Sequence, residues 1–302
     1  MSTASRTSAR PLGAVAALVG ATAVWGSTFV VTKQALPETS PASFLVWRFG
    51  IAALVLVVAA PRRLRAMTRR ELGHGAALGA FLAAGFLLQT HGLLDTDAGV
   101  SGFLTGAAVV LTPVVAAAFF GESVGRAGWA AVVLATVGMA LLVLRSTTVS
   151  LGAALTVAGA ACFALHIASL SRWATAANAV ALTATSVCIA TALCALWAIA
   201  GDGLEVPSSM TTWWSAIYVA VAATCVGFVV QAWAQSRLTA TTAAVVMTME
   251  PFFAAVFAAT AGHEALGSAG VLGGVLVVGA MFVAELGPRG CCDAQSPRIE
   301  CC

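Results

Sequence analysis

The chain has 302 residues and a formal net charge of +3, with 60% hydrophobic and only 9% charged residues. Soluble domains run to about 45–50% apolar and about 25% charged, so this composition cannot cover a water-facing surface. The solid Ala, Leu, Val and Gly runs also lack the alternation of a membrane β-barrel, which leaves a polytopic helical membrane protein.

A short polar tail, residues 1–11, leads into a first apolar span at about 12–34 that contains Trp25, Ser27, Thr28 and Lys33. That span has the length of a bilayer crossing, about 20 residues, and is too long for the apolar core of a cleaved signal. Pro37 and Pro41 bracket a tight loop before a helix at about 42–60 that carries Arg48. A loop over 61–70 holds five arginines, and a third helix at about 74–94 carries Gln89 and His91. Asp95 and Asp97 precede a fourth helix with Thr105, Thr112 and Pro113, and a fifth spans about 128–144. The second half repeats the count, with helices at about 151–172 (His166), 179–200, 213–235 (Gln231), 239–261 (Glu250, Pro251) and 268–285. A tail over 287–302 carries Cys291, Cys292, Cys301 and Cys302.

The most informative stretch is residues 239–266, apolar for a membrane's thickness with Glu250-Pro251 in its middle. Residues 96–124 have a related shape, and setting Glu122 on Glu264 gives an offset of 142 that also aligns Gly125 with Gly267 and Gly128 with Gly270. We expect two five-helix units, 12–145 and 146–286. With the N-terminus inside, twelve arginines fall on inside segments, Lys33 and Arg145 fall outside, and Arg48 lies within a span. The positive-inside rule therefore places both termini in the cytoplasm. An odd helix count then turns the second unit upside down. The loops agree: the first loop between second and third helices has five arginines, whereas its counterpart has Asp202 and Glu205. The expected fold is all-α, with ten transmembrane helices as two inverted five-helix repeats. Such repeats place a binding site near the midplane. The positive charge is thus a topology signal, and no nucleic-acid partner is expected.

The segments WGSTFVVTK (25–33), VWRFG (46–50), SGFLTG with LTPVVAAAFFGE (101–122) and MEPFFAAVFAATAGHEAL (249–266) together resemble the EamA-type branch of the drug/metabolite transporter superfamily. The likeness covers about 12–286. It implies a ten-helix inverted-repeat carrier of the plasma membrane that exports a small metabolite, amino acid or drug across the bilayer. The halves differ: Pro113 stands nine residues before its acid and Pro251 thirteen, and the residue before the proline is Thr112 in the first half where it is Glu250 in the second. Any site should therefore be unequal between them.

An ionised carboxylate at a helix centre costs at least about 2.5–3.5 kcal/mol, so Glu250 should be neutral, paired or wet. Pro251 frees a backbone carbonyl beside it. Glu250 reads either as a proton- or cation-binding group or as an acid bridging helices. Arg48 either snorkels toward the outer interface or bonds Asp95 or Asp97, or it contacts an anion or carboxylate in the cavity mouth. Thr224, Phe228, Gln231 and Gln235 share one helix face, as do Ser101, Thr105 and Thr112. With Gln89, Trp25, Ser27 and Thr28 they can line a mixed aromatic and polar cavity, or bond their own backbones. His166 and His91 read as interhelical hydrogen bonds or as proton relays. Cys162, Cys188, Cys194 and Cys225 fall within spans and read as small apolar residues. The tail cysteines lack zinc-site spacing, so no metal or cofactor is expected. His263-Glu264 does not extend to H-E-x-x-H, and no Walker A motif occurs. An enzyme or channel built on Glu250 is the alternative to a secondary transporter.

Overall fold

The computed structural model describes residues 12–121, 126–143, 150–201, 203–238, 246–247, 249–262 and 268–286. Glu122, Glu264, their aligned glycines Gly125 and Gly267, Arg145 and the tail cysteines lie outside them. Among the described residues all regular structure is helical. Six helices are long and apolar enough to cross a bilayer: α1 (Leu12–Ala35), α2 (Pro41–Ala59), α4 (Arg69–Gly92), α8 (Leu151–Trp173), α9 (Ala179–Ala200) and α10 (Met210–Gln235). Between and after them lie α3 (Pro61–Arg65), α5 (Ala98–Thr105), α6 (Ala107–Phe120), α7 (Arg126–Val143), α11 (Met249–Thr260) and α12 (Ser268–Leu286).

Local chemistry explains the boundaries. Ser40 caps α2 with Pro41 in its first turn. A capping box of Thr68 and Glu71 starts α4 at Arg69, earlier than the expected 74. The arginine loop is not all loop, because Pro61 initiates the short helix α3. The expected fourth helix is broken at Gly106 into α5 and α6. Within α10 the backbone widens into a π-helical stretch, Val219–Val226.

Helix pairing reveals the organisation. In the first half α1 packs on α10 and α11; in the second, α8 packs on α4 and on the α5–α6 pair. Likewise α2 packs on α10 and α4 on α9, while α2 meets α9, α5 meets α11 and α7 meets α12. Exchanging the halves leaves this scheme of principal pairings unchanged. Side chains obey the same exchange. Gly85 and Gly227 stand 142 positions apart. A Cβ on Gly85 would lie 2.5 Å from the Phe163 ring, and one on Gly227 would lie 2.6 Å from the Trp25 indole nitrogen. Each half thus seats an aromatic ring of its first helix in a glycine notch on the other half. Gly92 and Gly152 bring α4 and α8 together backbone to backbone, each glycine's Cβ position falling on the other's carbonyl oxygen.

Polar straps join the loops at both ends. At the end where α1 stops and α2 starts, Glu205 accepts from the Ser40 amide and the Trp47 indole donates to the Glu205 carbonyl (2.8 Å). Glu38 accepts from Thr212 (2.9 Å) and Ser208 (3.4 Å). At the opposite end Asn178 donates to Glu71 (3.3 Å). Hydrogen bonds from Ser209 and Thr212 hold the Glu38 carboxyl below its ordinary value of 4.5. A depressed folded pKa gives stability that is present above the unfolded value and lost as pH falls through the folded one. In detergent, the thermal midpoint should therefore drop more steeply below about pH 4.5 for the wild type than for Glu38→Gln. Equal acid slopes for the two proteins would remove Glu38 from the strap.

Candidate substrate-binding site

The elements converge on a central cavity with about 660 Å³ of non-atom space, its open mouth included. Its walls come from α1, α2, α4, the α5–α6 junction, α8, α10 and α11. Trp25, Phe29, Phe86, Phe163 and Phe228 form an aromatic lining. Phe86 is its hub, edge-on to Phe163 (4.8 Å between centroids) and to Phe228 (6.2 Å).

Arg48 enters this lining from α2 and is 3% exposed. Its Nε donates to Thr224 Oγ1 (3.0 Å), which in turn donates to the Val219 carbonyl (3.0 Å). The guanidinium carbon sits 4.1 Å from the Phe86 ring centroid, a cation–π contact. The snorkelling reading therefore fails. The α2 register turns Arg48 inward, and Asp97 pairs with Lys33 instead (3.5 Å).

The π stretch matters to this geometry. The Gly227 amide bonds the Ala222 and Thr224 carbonyls, and the Ala223 oxygen accepts the Trp25 indole N–H (2.9 Å). One widened turn thereby holds both Trp25 and, through Thr224, Arg48. Such turns recur at functional sites.

Glu250, half-buried, and Pro251, buried, line the cavity from α11. Glu250 makes no direct ion pair with Arg48, although both line the one enclosure. His166 Nδ1 donates to the Leu78 carbonyl (3.3 Å) across helices and packs against Phe228 (6.2 Å). Gln89 donates to Thr105 (2.8 Å), whereas the Gln231 amide has, among the described residues, only the Met247 sulfur, 4.0 Å away.

Of the residues singled out in the sequence, Trp25, Thr28, Arg48, Gln89, Thr105, His166, Gln231 and Glu250 line this cavity. Ser27 does not. It donates to the Val24 carbonyl (2.7 Å) and meets the Tyr218 hydroxyl (2.8 Å), tying α1 to α10. Of Ser101, Thr105 and Thr112 only Thr105 lines the cavity: the buried Ser101 hydroxyl has no hydrogen-bond partner among the described residues, and Thr112 bonds the Ala108 carbonyl. Gln235 bonds Ser171, and His91 bonds its own helix at Leu87. Among the described residues, no three His, Cys, Asp or Glu side chains gather as a metal site would need.

The chain matches the EamA-like transporter family over residues 12–144 and again over 150–285. It belongs to that family. An uncharacterized transporter of Archaeoglobus fulgidus is 28% identical over 264 residues, which is 87% of this chain and 82% of the relative. A crystal structure with 19% identity superposes with a TM-score of 0.67 over 91% of this chain and 96% of the other, a likeness of fold. Like the EamA-like family as a whole, the protein is a multi-pass membrane transporter within the drug/metabolite transporter superfamily, and family and relative point to a transporter rather than an enzyme.

Phe86, Phe163 and Met247 belong to the lining of this EamA-like cavity and had no place in the sequence reading. A signal for two of them was present. Subtracting the repeat offset of 142 from Phe228 gives Phe86, and adding it to Thr105 gives Met247. Phe163 has no such partner; an aromatic in an apolar helix carries no mark of the direction it faces.

Proposed function

We propose that the protein is a secondary transporter of the plasma membrane that exports a small metabolite, amino acid or drug through the central cavity. The observation that carries this reading is that Arg48 and Glu250 line one aromatic-walled space without a direct ion pair between them, where the two halves meet. Ionisable groups held apart in an enclosed space are costly unless paired, and a ligand bearing groups of opposite charge can engage each of them. Rocking of the halves exposes the cavity alternately to each side. Glu250 is the proton-coupling group, protonated when facing one side and ionised when facing the other.

The exchangeable helix pairing and the arginine distribution support ten crossings in two inverted units, 12–145 and 146–286, with both termini cytoplasmic. Single cysteines at Arg65 and Ser208, in a background without the native cysteines, should label only from inside and only from outside respectively. Labelling of both from one face ends the inverted arrangement.

Transport itself is tested by comparing metabolites excreted by cells with and without the protein, followed by uptake of the differing compounds into inverted vesicles. Identical excretion profiles together with no uptake of any candidate would falsify export through this cavity.

A further inference from the structure

The two cavity amides are repeat partners with unequal surroundings. Gln89 and Gln231 stand 142 positions apart, as do the residues they face, Thr105 and Met247. In the first half, the Gln89 amide donates to a hydroxyl at 2.8 Å and is satisfied. In the second, the Gln231 amide, in a residue 2% exposed, has a thioether at 4.0 Å. A thioether is a weak acceptor, and a buried donor without a good acceptor is costly. The exchange breaks in the same sense one turn on, where Ala108 lines the first half and Glu250 the second. It breaks again at Leu82 and Thr224, of which Thr224 holds Arg48. At each of these three pairs the second-half member is the more polar or the less satisfied one, and Gln231 and Glu250 both face the cavity.

We propose that Gln231 is the specificity-determining donor of the site and that Met247, by not competing for its amide, keeps it available. The ligand it selects carries a carboxylate, held between the Gln231 amide and the Arg48 guanidinium. A cationic group of the same ligand faces Glu250, and its apolar body lies on the Phe86–Phe228 wall. Gln89, closed by Thr105, takes no part in this head-group recognition. This assignment rests on the transporter reading above, and adds to it the orientation of the ligand and the residue that reads its acid group.

The test uses Met247→Thr against Met247→Val, side chains of nearly the same shape that differ by a hydroxyl. The threonine gives Gln231 the partner that Gln89 already has; the valine does not. Three radiolabelled probes, phenylalanine, 3-phenylpropionate and phenethylamine, share one aromatic body and carry both charges, the acid alone and the amine alone. Equilibrium binding is measured on the purified full-length proteins in detergent, with thermal midpoints to confirm that both variants are folded. The expected result is that phenylalanine and phenylpropionate bind the threonine variant about tenfold more weakly than the valine variant, while phenethylamine binds both alike. Gln231→Leu should show the same loss of the two acid-bearing probes. Equal acid binding by the Thr and Val variants overturns the role of Gln231, as does an equal loss of all three probes. Failure of all three to bind the wild type overturns the ligand class. The excretion and vesicle experiments answer separately whether the protein transports, so a negative result here leaves that reading to its own evidence.

Discussion

Replacing Arg48 with methionine should weaken apparent substrate affinity by about a hundredfold, and replacing it with lysine should recover little. Truncating one partner of a buried hydrogen-bonded charge pair costs about 2–5 kcal/mol, and about 1.4 kcal/mol is tenfold. Methionine keeps much of the volume between Phe86 and Thr224 but removes the cavity's cation and leaves Glu250 without an opposite charge. Lysine restores charge without the planar fork that bonds Thr224 Oγ1 through Nε and stacks on Phe86 at 4.1 Å. The decisive measurement is the concentration dependence of vesicle uptake for wild type, Arg48→Met and Arg48→Lys at equal reconstitution. A lysine variant indistinguishable from wild type would mean that bulk charge, and not the guanidinium geometry, is what the substrate meets.

Glu250→Gln should abolish the pH dependence of transport while leaving thermal stability in detergent nearly unchanged. The amide has almost the shape of the carboxyl and keeps hydrogen-bonding capacity, but it cannot release a proton. Coupling needs a group with different proton affinity in the two states, and a carboxyl at the cavity wall beside the helix-breaking Pro251 changes its solvation as the halves rock. A structural Glu250 predicts a different pattern: the Gln protein transports with an unaltered pH profile, and Glu250→Leu loses stability. Proteoliposome uptake measured against internal and external pH for both variants separates the two.

Much of this architecture was readable from residues, because a bilayer forces helices and demands long apolar runs. The repeat offset and the arginine distribution came from the same source. Side-chain direction was harder. Periodicity brought Phe228 and Gln231 to one face of α10, and both line the cavity. It also brought Gln235 there, which is spent on Ser171, and Ser27 on α1 turned instead toward Tyr218. On a helix apolar all round, no contrast of polarity says which face is inward. Arg48 failed in its snorkelling form for a similar reason: depth along a helix was legible, but the neighbour waiting at that depth, Thr224 on a helix far along the chain, was not. The π stretch left no trace in the sequence, since Val, Ala, Thr and Cys serve either helix type.

The crosswise pairing of the halves has a consequence for how the molecule is made. Trp25, in α1, finds its hydrogen-bond acceptor 198 residues later, at Ala223, and α1 packs chiefly on α10 and α11. Most of the helix packing runs between the halves and little within either. On this pairing the early helices meet their packing partners only once the last third of the chain has been inserted. Assembly around the cavity therefore waits for α10, and until that helix is inserted Arg48 has no Thr224 to bond.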